Sequence, residues 1–451
     1  MSAMGREIQD FAGMLRGKLL QEGDGGYDEA RRVWNAMINR RPGLIARCAG
    51  TQDVVHSVRF AREHGLLVSV RGGGHSVAGN AVCDGGLMID LSPMKGIRTD
   101  PDRRVAWAEA GLRLSEFDRD TQAHGLATTL GIASDTGIAG LTLGGGYGWL
   151  NGRFGLACDN VTSAEVVTAD GRVLTASATE NADLFWGIRG GGGNFGVVTR
   201  FEYRLHPMDH VLSGMVVYPW SQAGEALQMF HRFSITAPDA VTTIGTIVKA
   251  PDGNSTIAIS VCYSGPVEEG EKLLEPLRSF GPPIADTIKP MRYVEMQRAS
   301  DEHFPPGGHY YWKTSLLRDL SDGAIHVFLK YGQELPTAQS VIFLQQLHGA
   351  ASRVGPTETA FPHRYHNYDC GPLFGWEDPA DSERCIRLAR DCWTALRPFY
   401  SRSVYLNALG EEGDPRIREA FGPNYAGVVA LKNKYDPTNL FRLNPNIKPT
   451  V

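Results

Sequence analysis

A histidine set directly behind three glycines is the first place in this chain where residue type and spacing point to chemistry. Arg71-Gly72-Gly73-Gly74-His75-Ser76 offers successive backbone N–H groups unshielded by Cβ atoms, able to converge on phosphate oxygens, and then an imidazole. A tight loop between two strands is the other reading of the run. A second glycine knot favours the first reading: Gly131, Thr136, Gly137, Gly140, Gly144, Gly145, Gly146 and Gly148 stand within eighteen positions, interleaved with Leu141 and Leu143. Such a stretch can lie alongside an extended cofactor. Cys158 follows ten residues further on, so two nucleophiles, an imidazole and a thiol, each neighbour a glycine-rich segment. Taken singly, His75 reads as a turn-satisfying histidine and Cys158 as a small buried apolar residue. Their placement is what raises a chemical role.

Generic nucleotide motifs account for little. Gly191, Gly193 and Gly196 match G-x-G-x-x-G, yet the residues that follow, V-V-T-R-F-E-Y-R-L, alternate as a strand does where a dinucleotide fold needs a helix. A nicotinamide dehydrogenase built on that motif is the competing enzyme class. No G-x-x-x-x-G-K-[ST] and no G-x-S-x-G occurs.

The elements that must position these residues differ between the two halves of the chain. Gln52 to His64 has helical spacing at Val54, Val55, Val58 and Ala61, and is followed by a strand, Leu66 to Val70, that runs into the first glycine loop. Strands are expected at Leu87 to Leu91 and Arg104 to Ala110. Beyond a boundary near Pro207, strands at Ser255 to Tyr263 and Ile325 to Leu329 and helices at Trp220 to Phe233 and Asp381 to Leu396 predict an antiparallel sheet with covering helices. The tail from Asp414 to Lys434 reads as a helix stopped by Asp436-Pro437. The fold class is α+β.

Composition narrows the partners. With 45 Lys+Arg against 50 Asp+Glu over 451 residues, the net charge of −5 lacks the basic excess that phosphate backbones demand, which argues against nucleic acid. Glycine is abundant at 53 without a G-X-Y period, and proline is ordinary at 25, so neither collagen nor low-complexity disorder fits. Seven scattered cysteines without a C-x-x-C pair argue against a disulfide framework or zinc site, and no metal site is expected. The start carries Glu7 and Asp10 and no run of 18 apolar residues occurs, so a cytoplasmic protein without a membrane partner is expected.

Four separated segments carry a more specific signal: R-G-G-G-H-S-V-A-G (Arg71 to Gly79), D-T-G-I-A-G-L-T-L-G-G-G-Y-G-W-L-N-G-R-F-G-L-A-C-D-N-V (Asp135 to Val161), W-G-I-R-G-G-G-G-N-F-G-V-V-T (Trp186 to Thr199) and Y-D-P-T-N-L-F-R-L-N-P-N-I (Tyr435 to Ile447). In these the chain resembles the flavin-linked oxidases of the berberine bridge enzyme type, within the vanillyl-alcohol oxidase superfamily. The resemblance implies an FAD-binding domain made from residues 1–206 and 405–451, enclosing a substrate domain at 207–404. FAD contacts would come from Arg71, Gly72, Gly73, Gly74, Ser76 and Gly79, then from Gly131, Ser134, Thr136, Gly137, Gly140, Gly144, Gly145 and Gly146, and from Gly196 and Val198. Asn444 or Asn446 would hydrogen bond the flavin, a capping turn being the other reading of that tail. Two covalent links are implied, His75 to the 8α methyl carbon and Cys158 to carbon 6. Val161, three residues after that cysteine, holds the residue type associated with oxidases, so dioxygen is the expected electron acceptor and hydrogen peroxide the product.

Such a flavin takes a hydride from a carbon bearing an alcohol or amine while a protein base takes the heteroatom proton. The family's Y-x-N-[YF] segment reads Tyr405-Leu406-Asn407-Ala408 here, so its second aromatic is missing. Tyr405 is the first candidate base, with a packed strand aromatic as the alternative. Asp369 is the second: if Arg364 to Cys370 is a strand, Tyr365, Asn367 and Asp369 share one face. Tyr310, with Tyr311 and Trp312, would line a substrate pocket or belong to the core. The expected activity is FAD-dependent oxidation of an alcohol, sugar or secondary metabolite. A dehydrogenase of the same family and a flavin-binding protein without turnover, suggested by Ala408, are the alternatives.

Overall fold

The computed structural model describes residues 3–410 and 412–451, with most strands in three sheets. In the first, Leu44–Arg47, Leu87–Asp90 and Val68–Arg71 run parallel, and Lys18–Leu20 is antiparallel at the edge. All four residues of Leu87–Asp90 are buried, as expected of a parallel strand covered on both faces. The helix Thr51–Glu63 makes the crossover and buries Val54, Val55, Val58 and Ala61, the residues whose spacing predicts it. Val68–Arg71 pairs Arg71 with Asp90 and then runs into Gly72, so the glycine loop leaves from the end of a strand.

The second sheet is antiparallel, with strands in the order Ile97–Asp100, Val105–Glu109, Val197–Arg204, Val161–Val167, Val173–Ser177. Val197–Arg204 is its central strand and follows Gly196 directly. The G-x-G-x-x-G run therefore opens a strand, and the helix a dinucleotide fingerprint requires is not there.

The third sheet has nine strands, all from the middle of the chain, and is antiparallel throughout. Ser255–Tyr263 is a strand with the expected bounds. Ile325 to Leu329 is not: it lies inside the helix Asp322–Gln333, whose N-cap Ser321 accepts a hydrogen bond from Ala324 N. A five-residue apolar run does not separate the two states, and here the buried set Ala324, Ile325, Phe328, Tyr331 and Gly332 has helical spacing. The strand expected from Arg364 starts only at Asn367, running to Trp376, so Tyr365 and His366 precede it.

The tail forms two helices, Asp414–Phe421 and Tyr425–Tyr435, where one was expected; the break falls at Gly422, with φ of +45°. Its buried residues Val428, Tyr435, Phe441 and Ile447 share a hydrophobic core with Val54, Ile89, Phe201 and other residues from the first half. A separate core holds Val216, Ile259, Phe328 and Leu344 from the middle of the chain. The tail is tied down by a fully buried ion pair. Lys432 Nζ donates to Asp436 Oδ2 (2.7 Å) and to the carbonyls of Asn194 (3.1 Å) and Phe441 (2.8 Å), while Asp436 accepts from the N–H groups of Leu440 and Phe441. Among the described residues, no helix is long and apolar enough to cross a membrane and no cluster of three or more His, Cys, Asp or Glu side chains could hold a metal ion.

Candidate active site

The two glycine knots meet. A Cβ on Gly73 would lie 2.3 Å from Gly137 N, and one on Gly137 would lie 2.3 Å from Gly73 N, so the segments touch backbone to backbone and neither accepts a side chain. Gly72 sits against Ala110 O, and Gly79, with φ of +70°, turns the chain over Ile38. Ser76 Oγ accepts from Asn80 N at 3.3 Å. In the second knot, Ser134 donates its N–H (3.0 Å) and hydroxyl to Asp301, Thr136 accepts from Leu114 N (2.9 Å), and Gly131 packs on Leu114. Gly140 has no atom within 4 Å of its would-be Cβ. Gly196 directly precedes the central strand of the second sheet, and Val198 is in that strand, opposite Val166.

His75 stands where the knots meet. Its Nε2 is 3.0 Å from Asp135 Oδ2, and its ring stacks on Trp34 at 5.1 Å and 19°. Trp34 also stacks on Tyr310 at 3.9 Å and 9° and meets Trp312 at 5.8 Å and 40°. The hydroxyl of Tyr310 donates to Pro305 O at 2.6 Å and burial pushes it up to about 12, which makes this residue a buttress of the His75 side.

A second group surrounds Tyr405. Gly146 has φ of +86°, and its would-be Cβ lies 2.4 Å from that of Ala157; the bonds Ala157 N to Gly146 O (3.0 Å) and Cys158 N to Gly145 O (2.9 Å) hold the two segments together. This turn aims backbone donors at Tyr405, whose hydroxyl oxygen accepts from Gly146 N (3.0 Å), Tyr147 N (3.4 Å) and Asn407 Nδ2 (2.8 Å). Gly144 is required because its would-be Cβ coincides with the Asn407 amide, at 2.0 Å from Oδ1. Tyr147 stacks on Tyr405 at 4.3 Å and 18°, and its own hydroxyl is buried without a partner. Tyr405 precedes a 3-10 turn, Leu406–Ala408, and is not a strand residue.

Asp369 reaches this group from the third sheet, paired between Leu316 and Gln345. It is buried, its Oδ1 has no hydrogen-bond partner, and burial pushes its carboxyl up to about 7. Burial raises both Tyr147 and Tyr405, and the charge of Asp369 raises each further; the three donors on Tyr405 oppose that rise. Three donors on one phenol oxygen favour its phenolate, and a carboxylate poised near neutrality can receive the proton. Such a set of groups is chemically able to take a proton.

Cys158 lies in the same apolar cluster as Tyr147, Phe361 and Tyr405. It is fully buried, its thiol donates towards Asp159 Oδ1 (3.6 Å), and Arg364 Nη2 lies 3.9 Å away. Arg364 is itself committed, bidentate to Asp159 at 2.7 Å on both arms and bonded to Thr359 and Ala351. Burial raises the thiol, with Asp159 adding to it and Arg364 and Arg189 opposing. Nucleophilicity in a cysteine depends on thiolate character and access, and burial here disfavours the thiolate. Val161 begins the strand Val161–Val167 and packs in the core opposite Tyr203.

Two clefts flank the glycine loop. One, of about 390 Å³, has Arg47, Arg71, Lys95 and Arg113 in its wall beside Gly72, and the buried Nε of Arg71 is without a partner. The other, of about 180 Å³, lies between Ala78 and Asn80 on one side and Asn444 to Asn446 on the other. Asn444 donates to Gly193 O and Phe441 O, but the Oδ1 atoms of Asn444 and Asn446 are buried without partners. Unsatisfied buried polar atoms at a cleft are what a polar ligand completes, and a dinucleotide with a diphosphate and an amide-rich ring suits both clefts. Trp34, Asp135, Tyr147, Asp159 and Arg364 escape sequence reasoning. All but Trp34 fall inside segments that do stand out, but only the fold says what they touch.

Comparison with known proteins accords with this site. A family model described as an FAD binding domain matches residues 42–177, which include both glycine knots, and one described as berberine and berberine like matches 404–448, which include Tyr405 and the Asn444 tail. The chain is 32% identical over 450 residues to an FAD-linked oxidoreductase of Dictyostelium discoideum, covering 98% of this chain and 97% of the relative. It is 29% identical over 463 residues to (R)-6-hydroxynicotine oxidase of Paenarthrobacter nicotinovorans, covering 96% and 97%. The crystal structure of 6-hydroxy-D-nicotine oxidase from Arthrobacter nicotinovorans superimposes with a TM-score of 0.87 at 28% identity, over 96% of this chain and 98% of that one. Likeness over the whole length, glycine knots that meet at a histidine, and a C-terminal tail returned to the first domain's core place this chain among the berberine bridge enzyme-like FAD-linked oxidoreductases.

Proposed function

We propose that this FAD-linked oxidoreductase is an oxidase of small molecules that carry a hydroxyl or amine on the carbon to be oxidised, with Asp369 and Tyr405 as its proton acceptors. The buried carboxyl of Asp369 carries the reading: its Oδ1 has no hydrogen-bond partner, and its charge acts on Tyr147 and on Tyr405, the phenol that accepts three hydrogen bonds. Bound FAD supplies the acceptor for the substrate hydride and returns the two electrons to dioxygen. The residues do the rest. Tyr405, held by Gly146, Tyr147 and Asn407, takes the substrate's O–H or N–H proton as its own proton leaves for the ionised carboxylate of Asp369, which ends as the neutral acid. Tyr147 offers its unpaired hydroxyl to the substrate. In balance, R₂CH–OH and O₂ give R₂C=O and H₂O₂. The oxidase in place of a dehydrogenase is supported by the relatives named as oxidases.

His75 would hold FAD covalently, while Gly72 to Gly74, Arg71 and Arg113 would face its diphosphate and Asn444 and Asn446 its ring. The burial of Cys158 favours one covalent link over two. Intact mass after acid denaturation tests this. We expect an added mass of one FAD that persists in Cys158→Ser and disappears in His75→Ala. Persistence in His75→Ala with loss only in the double variant would restore the second link. A peroxide-release screen of alcohols, oligosaccharides and cyclic amines tests the activity, and flavin bleaching by a substrate without reoxidation by air would make the enzyme a dehydrogenase.

A further inference from the structure

We propose that Gln345 sets the substrate specificity of this site: its amide donates to an acceptor atom beside the reacting carbon, and the substrates are uncharged molecules with an apolar body. This rests on the reading of Asp369 and Tyr405 as the proton acceptors.

Strand register places the amide. Gln345, in Val341–Leu347, is opposite Asp369 of Asn367–Trp376, and on its other side opposite Ile244 of Val241–Lys249. Residues directly opposite in an antiparallel pair share a face, with Cβ atoms about 4.5–5.5 Å apart, so Gln345 and Asp369 project side by side. The face they share is the one turned to Tyr405: Leu316, opposite Asp369, and Leu347, two residues on from Gln345, pack in one cluster with Tyr147 and Tyr405. The alternate residues Leu344 and Cys370 lie on the other face, in the core that holds Phe230 and Phe328 of the covering helices.

Gln345 is buried, yet its Nε2 has no hydrogen-bond partner, and neither has Oδ1 of Asp369. A buried donor and a buried acceptor left open side by side are completed by the polar atoms of a ligand. Burial lessens along the face in one direction. Leu347 and Asn367 are fully buried, whereas Phe343 and Leu373 are half-buried, so Gln345 stands between the sealed end and the more open one.

The neighbours fix the class of ligand. Around the pair on this face stand Ile244, Leu316, Phe343, Leu347, Asn367 and Gly371, none of them charged. An anionic substrate would be repelled by Asp369 with no cation among these neighbours to offset it, and a polyol would lay most of its hydroxyls against hydrocarbon. One amide donor suits one acceptor, such as an ether or carbonyl oxygen on the carbon next to the one oxidised.

The test uses the FAD-loaded full-length enzyme and two isosteric alcohols, 2-methoxy-1-phenylethanol and 1-phenylbutan-1-ol, which differ by an ether oxygen in place of a methylene. Each gives its ketone, and in air dioxygen takes the two electrons and two protons as hydrogen peroxide. The second-order rate constant of anaerobic flavin bleaching is compared. We expect the unmutated enzyme to favour the ether by about 10- to 100-fold, the scale of one stranded buried donor. Gln345→Met keeps the length of the side chain without its donor and should bring the two rates within a factor of about two. Mandelate and cellobiose should bleach the flavin more slowly than the ether. Equal rates for the two alcohols in the unmutated enzyme, a preference unchanged in Gln345→Met, or faster bleaching by mandelate or cellobiose would overturn the proposal. Should Gln345→Met fail to fold, the preference of the unmutated enzyme alone decides it. Bleaching by neither alcohol would instead strike the activity reading beneath it; the two alcohols are then ranked by titrating the shift each causes in flavin absorbance, and equal or absent shifts overturn the role of Gln345.

Discussion

Replacing Asp369 by Asn keeps the shape of the side chain and removes both its charge and its ability to take a proton. The carboxyl is pushed from 3.8 to about 7 by burial, so the ionised form needed for proton uptake falls about tenfold for each pH unit below 7. Flavin reduction in the unmutated enzyme, followed by anaerobic stopped-flow bleaching with a saturating substrate, should therefore slow by about 100-fold between a plateau near pH 9 and pH 5. Asp369→Asn should lose about 10²–10⁴-fold at the plateau, as expected for a general base, and should lose that pH limb as well. Stability should move the other way. A carboxyl whose folded pKa is raised is most favourable to folding below its unfolded pKa, near 4, and that contribution is lost as pH rises through about 7. Above pH 7 the unmutated protein carries an ionisation penalty on the order of 4 kcal/mol, from the change in pKa, that the neutral amide does not. Asp369→Asn should thus be slower and, in thermal melts above pH 7, more stable, with the difference shrinking towards pH 4. A variant that kept the same pH limb, or that lost stability above pH 7, would refute Asp369 as a buried proton acceptor.

Tyr405→Phe removes one acceptor from three buried donors, Gly146 N, Tyr147 N and Asn407 Nδ2; at about 1–3 kcal/mol for a stranded group, denaturant melts should show a loss of several kcal/mol beside a fall in kcat. Gly73→Ala places a methyl 2.3 Å from Gly137 N, so it should separate the two knots and abolish stoichiometric FAD uptake, read as flavin absorbance per chain. Lys432→Met leaves Asp436 charged and fully buried; breaking one side of a buried pair costs about 3–5 kcal/mol, and urea melts should show it, with the tail becoming sensitive to limited proteolysis.

The residues that bind and react were visible in the chain only as types and clusters. The glycine knots stand out because backbone with no Cβ is the one thing that lets two segments touch as Gly73 and Gly137 do, and His75 is legible because it ends the first of them. Helices such as Thr51–Glu63 follow from apolar spacing, which is a local property. Where the local signal is short, as at Ile325 to Leu329, sequence pattern could not choose between helix and strand, and packing against the large sheet decided. Chemistry was settled further away still. Cys158 and His75 look alike on paper, each a nucleophile beside glycines, yet one is sealed against Asp159 and Arg364, 205 residues distant from its aspartate partner, and the other faces Asp135 beneath Trp34. Asp369 acts on Tyr147 and Tyr405 only because a strand of the third sheet and a returning C-terminal segment are brought to the same region by the fold. Reactivity depends on burial, partner charges and hydrogen bonds, all of which are set by contacts distant in sequence, so composition and spacing named the candidates and only the tertiary structure could rank them.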